Sequence, residues 1–223
     1  MSEGDFISLD AAAAMLGISV RHARRLVNAG HLTRVTRGLL ERDSVDRYLM
    51  SQRQGRTRGW AEHTAWGAIA LLSGGKADWL GQTQVSRVRR TLRELTDPNE
   101  FIARVRDHAH VRIFTAHRAA LPRLRTIVLR PDMNALGIVD LDENYLDGYI
   151  AAQQLNNTIQ TLGLRDDPSG NVTLRVTDFD FDQVGKVVAT SVVVAALDAA
   201  TALDPRIRGV GQRALTETLE AYR

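Results

Sequence analysis

The stretch from Ser8 to Leu49, SLDAAAAMLGISVRHARRLVNAGHLTRVTRGLLERDSVDRYL, decides how this chain is read. Ser8 is a good N-cap for a short alanine-rich helix over residues 9–16, which Gly17 terminates. Ile18 fills the turn, and Ser19 caps a second helix running from Val20 to about Ala29 before Gly30 stops it. Two short helices joined by a tight glycine-containing turn form a helix-turn-helix.

At 100° per residue, Ala23, Leu26, Val27 and Gly30 fall on one side of the second helix, and Arg21, Arg25 and Asn28 fall opposite, flanked by His22 and Arg24. Arginine and asparagine are the side chains that reach guanine and adenine edges bidentately. The inner set packs on the first helix and leaves the outer set for a major groove. Beyond it, the spacing predicts a strand over residues 32–35, a turn at 36–38, a return strand at Leu39 and Leu40, and a helix capped by Asp43 or Ser44. This hairpin reads as a wing, with Arg34, Thr36 and Arg37 at or near its tip as phosphate contacts, together with Ser19 and Arg24. Arg42 and Arg47 read as flanking surface charges.

Three motifs carry a family likeness: S-L-x-x-A-A-x-x-L-G-I-S from Ser8, R-x-x-R-R-L-V-x-x-G-x-L from Arg21, and R-D-S-V-D-R-Y-L from Arg42 behind a glycine-centred wing. The segment resembles the excisionase and MerR-type winged helix-turn-helix domains. That resemblance implies double-stranded DNA as a partner.

Composition is consistent with this. The 223 residues are 44% hydrophobic, enough for a real core, and include no cysteine. Thiol nucleophiles, Cys-ligated zinc and disulfides are thereby excluded, which fits a cytoplasmic protein associated with the nucleoid through its DNA. The N-terminal MSEGDFISL lacks the basic start and long apolar run of a secretory signal. The most apolar segment, residues 187–203, is interrupted by Thr190, Ser191 and Asp198 and reads as a buried helix, with no membrane partner implied. The net charge of +3 divides into +10 over the first 130 residues and −7 over the rest. The basic part suits a polyanion, and the acidic part suits solvent or a basic protein.

The fold class expected is α+β, an N-terminal winged helix-turn-helix followed by a mixed α+β domain ending in two helices. The boundaries are residues 1–50 for the DNA-binding domain, 51–59 for a basic linker (SQRQGRTRG, free of apolar residues) and 60–223 for the α+β domain. In the latter the pattern predicts helices over 61–72 and 82–95, the second with Val85, Val88, Leu92 and Leu95 inward and Arg87, Arg89, Arg90 and Arg93 around the rest. Further helices are expected at 100–108, 118–124, 153–162, 183–203 and 205–221, and strands at 111–115, 126–129, 136–139, 146–150 and 172–176.

Catalytic signals are weak. Asp178, Asp180 and Asp182 in DFDFD would share one face of a strand, as a divalent-metal site requires, but an edge strand with one wet face reads the same way. Ser73-Gly74-Gly75-Lys76 lacks phosphate-loop spacing and reads as a helix end. His63, His108, His110 and His117 show no metal-ligand spacing. No catalytic residue, cofactor or metal is assigned.

The order of elements, with A-L-D-A-A-T-A-L-D-P-R-I-R-G-V-G-Q-R-A-L at Ala196 to Leu215, resembles AbiEi-like antitoxins of type IV toxin–antitoxin systems. The resemblance implies a non-enzymatic repressor of its own operon, partnered by a nucleotidyltransferase-like toxin. A ligand-responsive regulator, and a metal-dependent nucleic-acid enzyme using Asp178, Asp180 and Asp182, stand as alternatives. A homodimer on DNA and monomers on repeated sites both remain open.

Overall fold

The computed structural model describes residues 6–28, 32–36, 38–42, 44–45, 48, 58–139, 143–202 and 204–223. Two compact units emerge, Met1–Arg56 and Thr57–Arg223. Arg37, Gly30, Asp43, Arg47 and the linker through residue 57 lie outside the described residues.

In the first unit, α1 spans Leu9–Leu16; the Ser8 hydroxyl accepts from the Ala11 N–H at 3.1 Å, and Gly17 ends the helix at φ +65°. The second helix, α2, spans Val20–Asn28. Three short strands, β1 (Phe6–Ser8), β2 (Arg34–Thr36) and β3 (Leu39–Glu41), form an antiparallel sheet in the order β1-β3-β2. The wing is therefore three-stranded. Its first strand precedes α1, a segment too short to show a pattern in the sequence. Ile7, Ala12, Leu26, Leu32, Leu40 and Val45 form the core. Ser44 is buried and staples the wing from below, accepting from the Thr33 N–H at 3.0 Å and donating to the Glu41 carbonyl at 2.7 Å. This architecture is a winged helix-turn-helix.

The second unit has a central sheet of β4 (His110–Thr115), β5 (Leu146–Ala151), β6 (Arg165–Asp166) and β7 (Val172–Thr177), ordered β5-β7-β4-β6. β5 runs parallel to β7, and β4 is antiparallel to both β7 and β6. One face carries Phe114, Leu146, Ile150, Val172, Leu174 and Val176. Covering it are α6 (Leu121–Ile127) and α7 (Ala152–Leu162), which contribute Leu121, Leu124 and Leu155.

A helical layer lies over the opposite face: α3 (Glu62–Leu72), α4 (Gln82–Glu94), α5 (Pro98–Val105), α8 (Phe181–Thr190), α9 (Val192–Ala200) and α10 (Pro205–Tyr222). Every residue of α3 from Thr64 to Leu72 is buried, as expected of a helix apolar on all sides. The unit is thus α+β, as its sequence pattern predicts.

Four details differ from expectation. Residues 126 and 127 belong to α6, and only Leu129 pairs in the sheet, as a single bridge to Tyr149. Residues 133–136 form a 3-10 turn closed by Gly137 at φ +71°, so no strand forms at 136–139. β6 is a two-residue strand that no pattern signals. The helix expected over 183–203 breaks at Ser191, where α8 and α9 meet at 91°. There the Ser191 hydroxyl caps α9 by accepting from the Val193 and Val194 N–H groups at 3.1 and 3.3 Å. Among the described residues no single helix is long and apolar enough to cross a membrane.

The DFDFD segment is a correction. β7 ends at Thr177, and the Asp180 carboxylate caps α8, accepting from the Asp182 and Gln183 N–H groups at 3.0 and 3.2 Å. Strand spacing is lost, so Asp178, Asp180 and Asp182 do not line one face. No group of three or more His, Asp or Glu among the described residues is placed to hold a metal ion.

The closest approach of α9 and α10 is set by Gly211: a Cβ there would lie 2.2 Å from the Ala200 nitrogen and 2.6 Å from the Ala196 oxygen. Backbone on the far side cannot yield as a flexible side chain would. Gly211→Ala is expected to lower stability by about 1–3 kcal/mol through overpacking, read as a lower midpoint in urea; an unchanged midpoint contradicts this packing.

Candidate nucleic-acid interface

The inner side of α2 is anchored by Ala23 and Leu26, both buried. Arg21, Arg24, Arg25 and Asn28 are exposed, and His22 is half-buried. The outer face anticipated from the helical period is therefore presented to solvent with three guanidinium groups and one carboxamide. Ser19 caps the helix, its hydroxyl oxygen accepting from the His22 N–H at 3.2 Å. Acceptance leaves the Ser19 O–H available as a donor, so capping and phosphate contact are compatible.

β2 carries Arg34 and Thr36, both exposed, with a register shift between them opposite β3. Arg34 Nη2 donates to Asn28 Oδ1 at 3.5 Å, which brings the wing onto the last turn of α2. Sequence spacing could not reveal this contact, because it depends on where the hairpin lands. Asn28 Oδ1 has two lone pairs, so it can accept from Arg34 and from an adenine N6–H together, while Nδ2 donates to N7. A phosphate is a natural further partner for the Arg34 guanidinium. At the turn of the wing, the Leu9 N–H donates to the Gly38 carbonyl at 3.0 Å and ties α1 to it.

The second unit contains a buried polar cluster that the sequence pattern does not signal. Arg175 on β7 is held by Asp147 on β5 through Nε–Oδ1 and Nη2–Oδ2 contacts, both 2.8 Å, and its Nη1 lies 3.1 Å from Asp198 Oδ1 on α9. The Tyr149 hydroxyl lies 2.8 Å from the same Asp198 oxygen and 3.1 Å from His108 Nε2. His108 Nδ1 lies 2.8 Å from the Val105 carbonyl. The available signal was Asp147, Tyr149 and Arg175 alternating with apolar residues on two strands, a pattern that ordinarily marks a solvated face.

Burial sets the protonation of this cluster. Desolvation, reinforced by the Arg175 charge, lowers His108 to about 4 against the upward pull of the Val105 carbonyl. Desolvation pushes Asp198 up to about 7; Arg175 opposes this, the Asp147 charge adds to it, and the Tyr149 hydrogen bond opposes it. Tyr149 donates its hydroxyl proton to Asp198 Oδ1, the oxygen that also meets Arg175. No described buried side-chain nitrogen or oxygen lacks a partner. The cluster works as a strut between sheet and helices.

A groove of about 820 Å³ lies beside α8, lined by Lys76, Trp79, Phe179, Asp180, Gln183 and Lys186 among others. Lys76 and Lys186 are the only lysines in the chain. Gly74, at φ +77°, belongs to the turn that closes α3, as its sequence context suggests.

The fold and the exposed face of α2 define a winged helix-turn-helix module. Residues 1–41 match the family model described as transcriptional regulator, AbiEi antitoxin. The match covers α1, α2 and the three-stranded wing, in line with the AbiEi-like resemblance seen in the sequence. No curated protein and no solved structure matches the chain.

The buried cluster predicts a pH signature. His108 falls from its ordinary 6.5 to about 4, so between these values the unfolded chain binds a proton that the folded protein does not, and stability rises with pH. Asp198 rises from 3.8 to about 7 and acts oppositely, with stability falling across that window. His108→Gln removes only the rising part. The stability of the wild type relative to H108Q is therefore expected to grow by about 3 kcal/mol from pH 4 to 6.5. Urea denaturation at several pH values measures it, and a difference independent of pH contradicts a neutral buried His108.

Proposed function

We propose that this chain is a sequence-specific double-stranded DNA-binding repressor that acts as the autoregulating antitoxin of a toxin–antitoxin operon. The observation that carries the proposal is the exposed Arg21, Arg24, Arg25 and Asn28 face on a helix whose opposite side is locked into a winged helix-turn-helix core. In this reading Arg21, His22, Arg25 and Asn28 read base edges, while Ser19, Arg24, Arg34, Thr36 and Arg37 hold phosphates. The match of residues 1–41 to the antitoxin and regulator family supports the same reading.

Arg21→Ala/Arg25→Ala is expected to weaken operator binding by about 1–3 kcal/mol for each base edge left unread, with relaxed sequence preference, in a mobility-shift assay on the chain's own promoter. Unchanged operator affinity would sink the assignment of α2 as the recognition helix. The antitoxin role predicts a nucleotidyltransferase-like reading frame beside this one, whose growth inhibition is relieved when the two are co-expressed. Toxicity that co-expression leaves untouched removes the antitoxin role and leaves the repressor.

The groove that holds both lysines favours a second reading, a regulator responsive to a small ligand. A thermal-shift screen against phosphorylated and carboxylated metabolites checks it. The expected result is a raised melting temperature that Lys76→Ala/Lys186→Ala abolishes, and a screen with no shift rejects it.

A further inference from the structure

Several arginines of the second unit are paired with carboxylates. Arg104 meets Glu100 at 2.7 Å, Arg112 meets Asp166 at 2.6 Å, and Arg175 meets Asp147 at 2.8 Å. Helix α4 is different. Arg87, Arg89, Arg90 and Arg93 are all exposed. Arg90 has a single acidic neighbour, Glu94, at 3.9 Å, while Arg87, Arg89 and Arg93 have no hydrogen-bond or ion-pair partner among the described residues.

The arrangement works against the helix that carries it. Arg87 and Arg90, and Arg90 and Arg93, are three residues apart, and Arg89 and Arg93 are four apart. Like charges at these spacings are neighbours on a helix surface and destabilise it. Val88, Leu92 and Leu95 are buried on the inner side, so the four guanidinium groups fan over roughly half the circumference, the half facing solvent.

Chemistry identifies the ligand. The remaining residues on this face, Gln82, Thr83, Ser86 and Glu94, are polar or charged and exposed, and none supplies an apolar anchor. A protein interface draws its affinity from desolvated aromatic and aliphatic anchors at its centre, which this face lacks. A phosphate backbone asks only for cations, and the guanidinium fork, permanently charged, fits phosphate bidentately.

We propose that the arginine face of α4 is a second contact surface for double-stranded DNA, independent of sequence and binding the phosphate backbone. The proposal rests on the reading of the chain as a DNA-binding regulator and adds a footprint outside the wing. The second unit thus contributes affinity, and α2 contributes address.

The test uses the full chain and fluorescence anisotropy on two duplexes, the chain's own promoter and a random sequence, across a salt titration. The variant Arg87→Gln/Arg89→Gln/Arg90→Gln/Arg93→Gln keeps good helix formers at all four positions. It is expected to bind both duplexes about tenfold or more weakly, and the slope of log K against log salt should fall by about 2 or more, near 0.9 for each phosphate no longer neutralised. The corresponding four-lysine variant keeps the charge and should retain most of the slope. Wild-type slope and affinity in the glutamine variant overturn the proposal, as does a lysine variant whose slope falls to the same extent. Loss of binding to polyglutamate with DNA binding unchanged also overturns it, in favour of an acidic protein.

Failure of the recognition-helix reading looks different. Arg21→Ala/Arg25→Ala would then leave the promoter-to-random affinity ratio at its wild-type value, while the α4 variant still lowers the slope.

Discussion

The guanidinium of Arg175, buried between the carboxylates of Asp147 and Asp198, is the contact on which the larger unit depends. It ties β5 to β7 in one register and ties both strands to α9. A one-residue slip of β5 would exchange Asp147 for Leu146 or Gly148 beside the arginine and turn Asp147 and Tyr149 onto the apolar layer under α6 and α7. Burial, with the Asp147 charge adding to it, pushes the carboxyl of Asp198, the more buried of the two, up to about 7 against the pull of Arg175. Such a cluster adds little net stability over an apolar one. It makes the wrong packing expensive, because removing one partner strands a buried charge at a cost of about 3–5 kcal/mol. The surrounding aromatic groups follow the same logic: the Trp66, His108 and Tyr149 rings meet edge-on or tilted, and Trp66 Nε1 donates to Thr177 Oγ1 at 3.3 Å.

The parts legible in the sequence are those fixed by local chemistry. Ser8, Gly17 and Ser19 act within three or four residues of themselves, so both helices of the first unit and the face carrying Arg21 and Arg25 could be placed from spacing alone. The same holds for the Gly74 turn and for the inward stripe of α4. Features that arise only from tertiary packing were out of reach. Alternation at Asp147, Tyr149 and Arg175 looks like a solvated strand until a layer of helices covers it. Alternation at Asp178, Asp180 and Asp182 looks like a strand until Asp180 turns its carboxylate onto the start of α8. The contact of Arg34 with Asn28 needs the hairpin folded back on α2, which no one-dimensional period encodes.

Charge is distributed in step with these roles. Arginines in the second unit that reinforce the sheet and α5 are matched with carboxylates at hydrogen-bonding distance, while those on α2 and α4 are left facing water. A protein that needed only solubility could intersperse the two signs along each helix. Here α2 carries no acidic residue, and α4 carries one, at its last position. The acidic excess collects instead after residue 130, most of it between Asp132 and Asp147.

The corner at Ser191 also matters to the chain before it has folded. Taken end to end, Phe181–Thr190 and Val192–Ala200 have the length and apolar character of a bilayer span. Insertion machinery reads a nascent segment linearly, without regard to the fold to come, and a charged residue at the centre of such a segment carries a penalty of about 2.5–3.5 kcal/mol. Lys186 and Asp198 lie nearer the ends of the segment, where that penalty is smaller, while Ser191 interrupts the apolar run near its midpoint. The turn at Ser191 bends the apolar run through 91° and sets the Asp198 carboxyl against Arg175.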